Sequence, residues 1–304
     1  IVGHLGTGNS ADLVIQGLKR LEYRGYDSAG ISFVDDDGNL QMFKKAGKIT
    51  ELKIITKNIK IHSKSCIGHT RWATHGQVTD ENAHPHMSDN ISLVHNGIIE
   101  NSTELKDELL SKGYKFKSET DSEVFLFLLQ DSLKETNDFS HSVSNAFSKI
   151  TGNSAFVILN KETSDIVAVK RGAPLVCGIN NIKTDCLVAS DAYALIGLVD
   201  KIYFPEDDVV CHISAKNENV LKFYEVKDWS ISKRYKSKAQ DRDFKLEGKG
   251  KFDHYMLKEI YEQPTLIRGL LDYYLNGDGS DVLKDSVKTI PNRVNMTACG
   301  TAFY

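Results

Sequence analysis

The sequence predicts a layered α+β domain over residues 1–228, followed by a charged linker at 229–253 and a helical segment at 254–304. Helical spacing is grouped early in the chain, and short β-branched runs separated by polar turns fill 153–226. Between Ser232 and Lys251 the chain carries eight basic and three acidic residues and almost nothing apolar, the composition of a solvated linker.

Taken in order, Val14, Leu18 and Leu21 recur at helical spacing from Ala11 to Glu22. Ser10 is placed to cap that helix, and Gly25 follows its end. GISFV and NLQMF flank the turn signal DDDG and predict a hairpin. Two further helices are announced by capping boxes: Asn101 with Glu104 before ELKDELLSKG, and Thr120 with Glu123 before VFLFLLQDSL. SAFVILN, DIVAVK, CLVAS, DVVCHIS and NVLKFYEV then read as antiparallel strands. After the linker, FDHYMLKEIYEQPTLIRGLLDYYL resumes helical spacing, with a break expected at Pro264. RVNMTACGTAFY reads as the first strand of another domain.

The 304 residues are 40% apolar, enough to build ordinary cores, and a net charge of -3 gives no basic footprint for nucleic acid. No apolar run approaches the roughly 18 residues of a spanning helix, so no membrane partner is expected. Five scattered cysteines, with no Cys-x-x-Cys pair, point to a reducing compartment and argue against a zinc site.

The densest concentration of chemistry lies at residues 65–101, in SCIGHTRWATHG and HPHMSDNISLVHNGIIEN, where five of the ten histidines fall between His69 and His95. A metal could be gathered by His75, His84 and His86, but no familiar ligand spacing supports it. An amino-acid or anion site is the competing reading. Arg71 offers a planar fork for a carboxylate, Trp72 a flat wall, and Asn96-Gly97 an amide beside an unhindered N–H, two donors that can form an oxyanion hole. Each also has a structural reading: Arg71 as a surface ion pair, Trp72 as core, Asn96-Gly97 as a turn.

The motifs EYRGYDSAG, IGHTRWATHG, HPH, VHNGIIEN and SETDSE, in this order, resemble the glutaminase domain of the glutamine–fructose-6-phosphate aminotransferases, also called glucosamine-6-phosphate synthases. These are class II, N-terminal-nucleophile amidotransferases. The resemblance continues through KEIYEQP to ACGTA. It implies a four-layer αββα sandwich of two antiparallel sheets, with a linker and the start of a sugar-isomerase α/β domain after it.

It further implies hydrolysis of L-glutamine to glutamate and ammonia by a terminal cysteine whose own α-amine is the base. That cysteine would stand before Ile1, so the chain as written is expected to release no glutamate. Asn96 and Gly97 would form the oxyanion hole, and Arg24 would lie near the nucleophile. Arg71 would bind the α-carboxylate of glutamine and Asp121 its α-ammonium. Thr74 and His75 would help hold the substrate, with Trp72 closing over it, while His84 and His86 are left structural. No cofactor is implied. The intact enzyme would be a cytoplasmic homodimer that passes ammonia to a second domain, where fructose 6-phosphate becomes glucosamine 6-phosphate.

Other readings are separable. An Ile-Val-Gly terminus occurs in activated chymotrypsin-like proteases, but no Gly-Asp-Ser-Gly-Gly follows. The amidotransferase of purine synthesis would share the Asn-Gly pair, yet its signatures differ where this chain reads YRGYDSAG and TRWATHG. A glutamine-binding module without a nucleophile is the remaining alternative.

Overall fold

The order of elements separates an N-terminal group, a helical group and a strand group. β1 (Val2–Leu5) leads into α1 (Ser10–Arg20), then the hairpin of β2 (Ser28–Val34) and β3 (Leu40–Ala46). α2 (Ile49–Thr56), β4 (Ser65–Arg71), β5 (His86–Met87) and β6 (Ile91–Gly97) follow. α3 (Ser102–Ser111), α4 (Ser122–Thr136) and α5 (Phe139–Ser148) form the helical group. The strand group is β7 (Ser154–Asn160), β8 (Ile166–Arg171), β9 (Val176–Ile179), β10 (Cys186–Ala189), β11 (Lys201–Pro205), β12 (Val209–Ile213), β13 (Leu221–Glu225) and β14 (Tyr235–Ala239). The structure is a computed structural model and describes residues 1–57, 59, 61–73, 76–136, 138–216, 220–239, 250–277 and 279–281.

The strands make an eight-stranded sheet ordered β14-β11-β9-β10-β1-β4-β2-β3 and a six-stranded sheet ordered β13-β12-β8-β7-β6-β5. β7 shows why they stack. Its SAFVILN run is apolar throughout because both faces are buried. Ala155, Val157 and Leu159 point into a core shared with Ile67 and Val188 of the other sheet. The alternate residues Phe156 and Ile158 pack against Phe125, Leu129 and Phe147 of α4 and α5. On the far side, Val14 and Leu18 of α1 and Leu52 of α2 cover Val2, Ile31 and Phe33. The result is the expected αββα order of layers.

Local expectations were redirected where tertiary partners compete for the same side chains. Ser10 is the first residue of α1, and its Oγ lies 2.7 Å from His4 Nδ1 instead of capping the helix. Asn101 leaves its helix uncapped by its side chain because its Oδ1 accepts from Thr151 N–H and its Nδ2 donates to the Lys149 carbonyl. Glu123 accepts the N–H groups of Lys117 and Ser118, so it orders the entering loop rather than closing a box with Thr120. A Cβ on Gly3 of β1 would lie 2.8 Å from Val188 Cγ1 and 3.2 Å from Val157 Cγ1, so this glycine makes room for the packing of the two sheets.

Within the stretch expected to be a linker, β14 pairs with β11 as an edge strand, and its Lys236 and Lys238 suit an edge that must stay unpaired on its outer side. The chain divides into units Ile1–Phe244 and Lys245–Tyr304. In the second unit, α6 (Tyr255–Asn276) runs for 22 residues through Pro264 without the expected break. Proline removes one N–H from the helical ladder, and the long flanking segments keep their own bonds. The strand expected in RVNMTACGTAFY lies outside the described residues.

Candidate active site

The functional residues collect where two strands from different sheets end together. β4 of the eight-stranded sheet finishes at Arg71, and β6 of the six-stranded sheet finishes at Asn96-Gly97. Between them opens a cavity of about 300 Å³ lined by Arg24, Arg71, Trp72, Asn96, Gly97 and Asp121, together with Ile1, His69, His95 and Ser190. Six residues singled out from sequence therefore share one cavity. Thr74 and His75 lie outside the described residues.

Arg71 is only 5% exposed, and its Nη1 donates to the Gln77 carbonyl at 3.3 Å. Burial draws the guanidinium below its ordinary value while Asp27 and Asp121 draw it back up; it remains a cation at neutral pH. The surface-ion-pair and core readings of Arg71 and Trp72 both fail here, because the arginine is buried and the tryptophan is 59% exposed. Trp72 stands at the mouth with its ring edge-on to Tyr26, centroids 5.8 Å apart. Asp27 fixes the backbone beyond it, accepting the Ala73 N–H at 2.9 Å. Arg24 approaches from the turn after α1, where its Nη1 donates to the Ser190 carbonyl and to Asp191.

Asp121 sits before α4 and accepts the Ile99 N–H at 2.8 Å, which ties it to the chain leaving β6. Gly97 ends β6 at φ +136°, and a Cβ would lie 2.1 Å from the Asn153 carbonyl oxygen. Only glycine fits, so the backbone here is held in a shape that a side chain would destroy.

Part of the cavity wall is a set of buried imidazoles, of which His69, His84 and His95 line it. His84 Nδ1 accepts the His95 N–H, and His95 Nδ1 and Nε2 lie 2.9 and 3.2 Å from the hydroxyls of Ser122 and Ser154. His86 Nε2 lies 2.9 Å from Thr120 Oγ1. Burial pushes His86 down to about 3 and His95 to about 4, and holds His69 and His84 well below the ordinary histidine value. These rings are neutral at pH 7; His84, His86 and His95 serve as fixed hydrogen-bonding struts, while His69 packs its ring on His84 with centroids 4.6 Å apart. His84 and His86 are thus engaged by protein partners, and among the described residues no group of three or more His, Cys, Asp or Glu is arranged to hold a metal.

Sequence reasoning did not single out His69, His95, Ser122 or Ser190. His95 stood beside Asn96 in the same motif; Ser190 had no local signal, since it reaches the cavity from the end of β10. The described cysteines Cys66, Cys177, Cys186 and Cys211 are all buried, and none lines the cavity. Burial raises the thiols of Cys66, Cys186 and Cys211, which keeps them protonated and poorly nucleophilic.

Residues 69–197 match the family model of the glutamine amidotransferase domain. The glutamine–fructose-6-phosphate aminotransferase (isomerizing) of Fusobacterium nucleatum is 38% identical over 312 residues, an alignment covering 100% of this chain and 50% of the relative. That of Francisella tularensis is 37% identical over 317 residues with the same coverage. The chain spans about half the length of the curated relatives it matches. Among solved structures, the glutamine phosphoribosylpyrophosphate amidotransferase from B. subtilis, complexed with ADP and GMP, superposes with a TM-score of 0.63. It is 26% identical and covers 76% of this chain and 49% of its own. The likeness is to that enzyme's fold, while similarity in sequence along the whole of this chain runs to about half the length of the aminotransferases.

Proposed function

We propose, from the premise that the chain belongs to the glutamine–fructose-6-phosphate aminotransferase family, that its cavity hydrolyses the side-chain amide of L-glutamine to glutamate and ammonia. One observation carries the reading. A buried guanidinium, a carboxylate and the Asn-Gly end of a strand line a single cavity, giving a place for each charged end of an α-amino acid and for an oxyanion.

Arg71 takes the α-carboxylate and Asp121 the α-ammonium, which selects an amino acid over a simple amide. On the family resemblance alone, the nucleophile is assigned to a cysteine that would stand ahead of Ile1, and Ile1 lines the cavity. The cysteine thiol passes its proton to the cysteine α-amine, and the sulfur attacks the amide carbon. The side-chain amide of Asn96 and the N–H of Gly97 donate to the oxygen as it becomes an oxyanion, and each such donor is worth on the order of 100- to 1,000-fold in rate. Collapse expels ammonia, with the protonated α-amine of the cysteine returning the proton to the leaving nitrogen. Water then cleaves the thioester to glutamate. Arg24 holds the chain at Ser190 beside the nucleophile, and Trp72 covers the mouth. Thr74 and His75 are assigned to the same substrate loop on the family resemblance alone.

In the whole enzyme the ammonia is used to convert fructose 6-phosphate to glucosamine 6-phosphate. We extend the reading to a cytoplasmic homodimer, to residues 1–228 as the glutaminase domain, and to the segment after 254 as the approach to a sugar-isomerase domain. Among the described residues no helix is long and apolar enough to cross a membrane.

The test is glutamate release by the chain with Cys-Gly joined ahead of Ile1, beside the same protein with that cysteine replaced by alanine. Release only with the cysteine is the expected result. Glutamine binding by both without release would favour the non-catalytic binding module, and no binding by either would remove the glutamine reading.

A further inference from the structure

The two charge-reading residues of the cavity, Arg71 at the end of β4 and Asp121 in the loop before α4, are far apart in the chain, and something must set their separation. Arg71 donates to the Gln77 carbonyl. That same oxygen accepts from Asn82 Nδ2 at 3.1 Å. Asn82 Nδ2 also donates to Glu119 Oε2 at 3.0 Å, and Asn82 Oδ1 accepts the Glu119 N–H at 2.9 Å. Glu119 Oε2 in turn accepts the Gln77 N–H at 3.2 Å. Glu119 lies two positions ahead of Asp121 on the same short loop before α4.

Asn82 is 3% exposed, and its oxygen and nitrogen are both engaged across these two loops. Its own backbone is pinned from behind, where Lys44 Nζ donates to the carbonyls of Glu81 and Ala83 on either side of it. An amide is the group suited to this place. It supplies donor and acceptor on one planar end, where a hydroxyl has one proton and a carboxylate has none to give.

We propose that Asn82 is a positioning residue that fixes the spacing between Arg71 and Asp121, and so sets which amino-acid backbone the cavity accepts. The proposal rests on the reading of the cavity as a glutamine site. Asn82 does not line the cavity; it acts through the Gln77 carbonyl on one side and the Glu119 backbone on the other.

The experiment measures binding to the 304-residue chain by calorimetry. Three ligands are used: L-glutamine, 4-carbamoylbutanoate, which lacks the α-ammonium, and 4-aminobutanamide, which lacks the α-carboxylate. Asn82→Ala is expected to weaken L-glutamine by about tenfold or more, the change expected when a buried hydrogen-bonding partner is lost. Its preference for L-glutamine over each analogue is expected to shrink by a similar factor, since the two ends are no longer held at one spacing. Glu119→Ala removes an exposed carboxylate from the other end of the bridge at little risk to folding, and it is expected to act in the same direction. Glu119→Gln, which keeps an acceptor oxygen, is expected to restore most of the affinity. In the hydrolysing enzyme with Cys-Gly restored, KM rises in the alanine variants with kcat little changed. A wild type that binds L-glutamine, with both alanine variants folded and unchanged in affinity and preference, overturns the positioning role. A wild type that binds none of the three ligands overturns the glutamine reading beneath it.

Discussion

Acidification is the perturbation to which the imidazoles at the cavity are most sensitive. Burial holds His86 at about 3 and His95 at about 4, against the ordinary 6.5, with the charge of Lys44 adding to the effect on His86. In that interval the unfolded chain binds a proton at each position and the native chain does not. Stability is therefore complete above pH 6.5 and falls with decreasing pH, by up to about 1.4 kcal/mol per pH unit for each group. From pH 7 to pH 5 this amounts to about 2 kcal/mol for His86 and about 2 kcal/mol for His95. His69 and His84, also held low by burial, act in the same direction. The assay is urea unfolding at both pH values, followed by fluorescence of Trp229, which stacks on Tyr224 at 4.5 Å and so reports the folded state. His86→Gln keeps a polar end for Thr120 and has no proton to gain. Its own baseline stability is lower, because the edge-on contact with His84 is lost. The wild type is expected to lose about 2 kcal/mol more than this variant between pH 7 and pH 5, with unchanged denaturant slope. Equal losses in the two proteins would mean that His86 accepts its proton without unfolding, and the assignment of a neutral buried strut would fail.

Two substitutions in the cavity separate strain from recognition. Gly97→Ala forces a methyl toward the Asn153 carbonyl at a φ that side chains rarely adopt, and it is expected to lower stability by roughly 1–3 kcal/mol. It is also expected to lower glutamate release by on the order of 100-fold or more as the oxyanion donors move; a variant with the wild-type melting temperature and turnover would show that β6 tolerates the group. Arg71→Lys retains a cation but not the planar fork, and a rise of about tenfold or more in KM for glutamine is expected. An unchanged KM would take the α-carboxylate away from Arg71.

What the sequence disclosed depended on whether local pattern and tertiary demand agreed. β7 and the β2–β3 hairpin were legible because an apolar run or a DDDG turn has the same meaning in isolation and in the fold. β4 was not. SCIGHTR is fully buried yet rich in polar residues, since a strand that delivers a histidine and an arginine to a cavity cannot follow an apolar pattern. β9 is a four-residue VCGI and β14 is a lysine-bearing edge, and both fall below the signal of strand periodicity. α2 and α5 also escaped notice, the second because serines occupy much of its buried face. The capping boxes were chemically sound and structurally redirected, because Asn101 and Glu123 found partners from other parts of the chain. The cavity residues were legible as a linear pattern of motifs, but the bridge through Asn82 was not. Nothing in the sequence says that residue 82 touches residue 119.

The sandwich explains why the motifs must be dispersed. Asn96-Gly97 belong to the six-stranded sheet and Arg71 to the eight-stranded one, so under the proposed function the reacting amide and one charged end of the amino acid would be held by different layers. Their relative position is set in part by the apolar core between the sheets, where Ile67 of β4 packs with Val94 of β6 and Val157 of β7. It is set also by polar ties at the cavity itself: Asp121 bound to the N–H of Ile99 just past β6, and the Asn82 bridge joining Asp121's loop to Arg71's. A close-packed core resists small displacements but cannot specify a single hydrogen-bond length, whereas a bridge of directional bonds can. The two devices thus divide the task. The core brings the strand ends into one cavity, and the bridge ties the loop that carries Asp121 to the segment that follows Arg71.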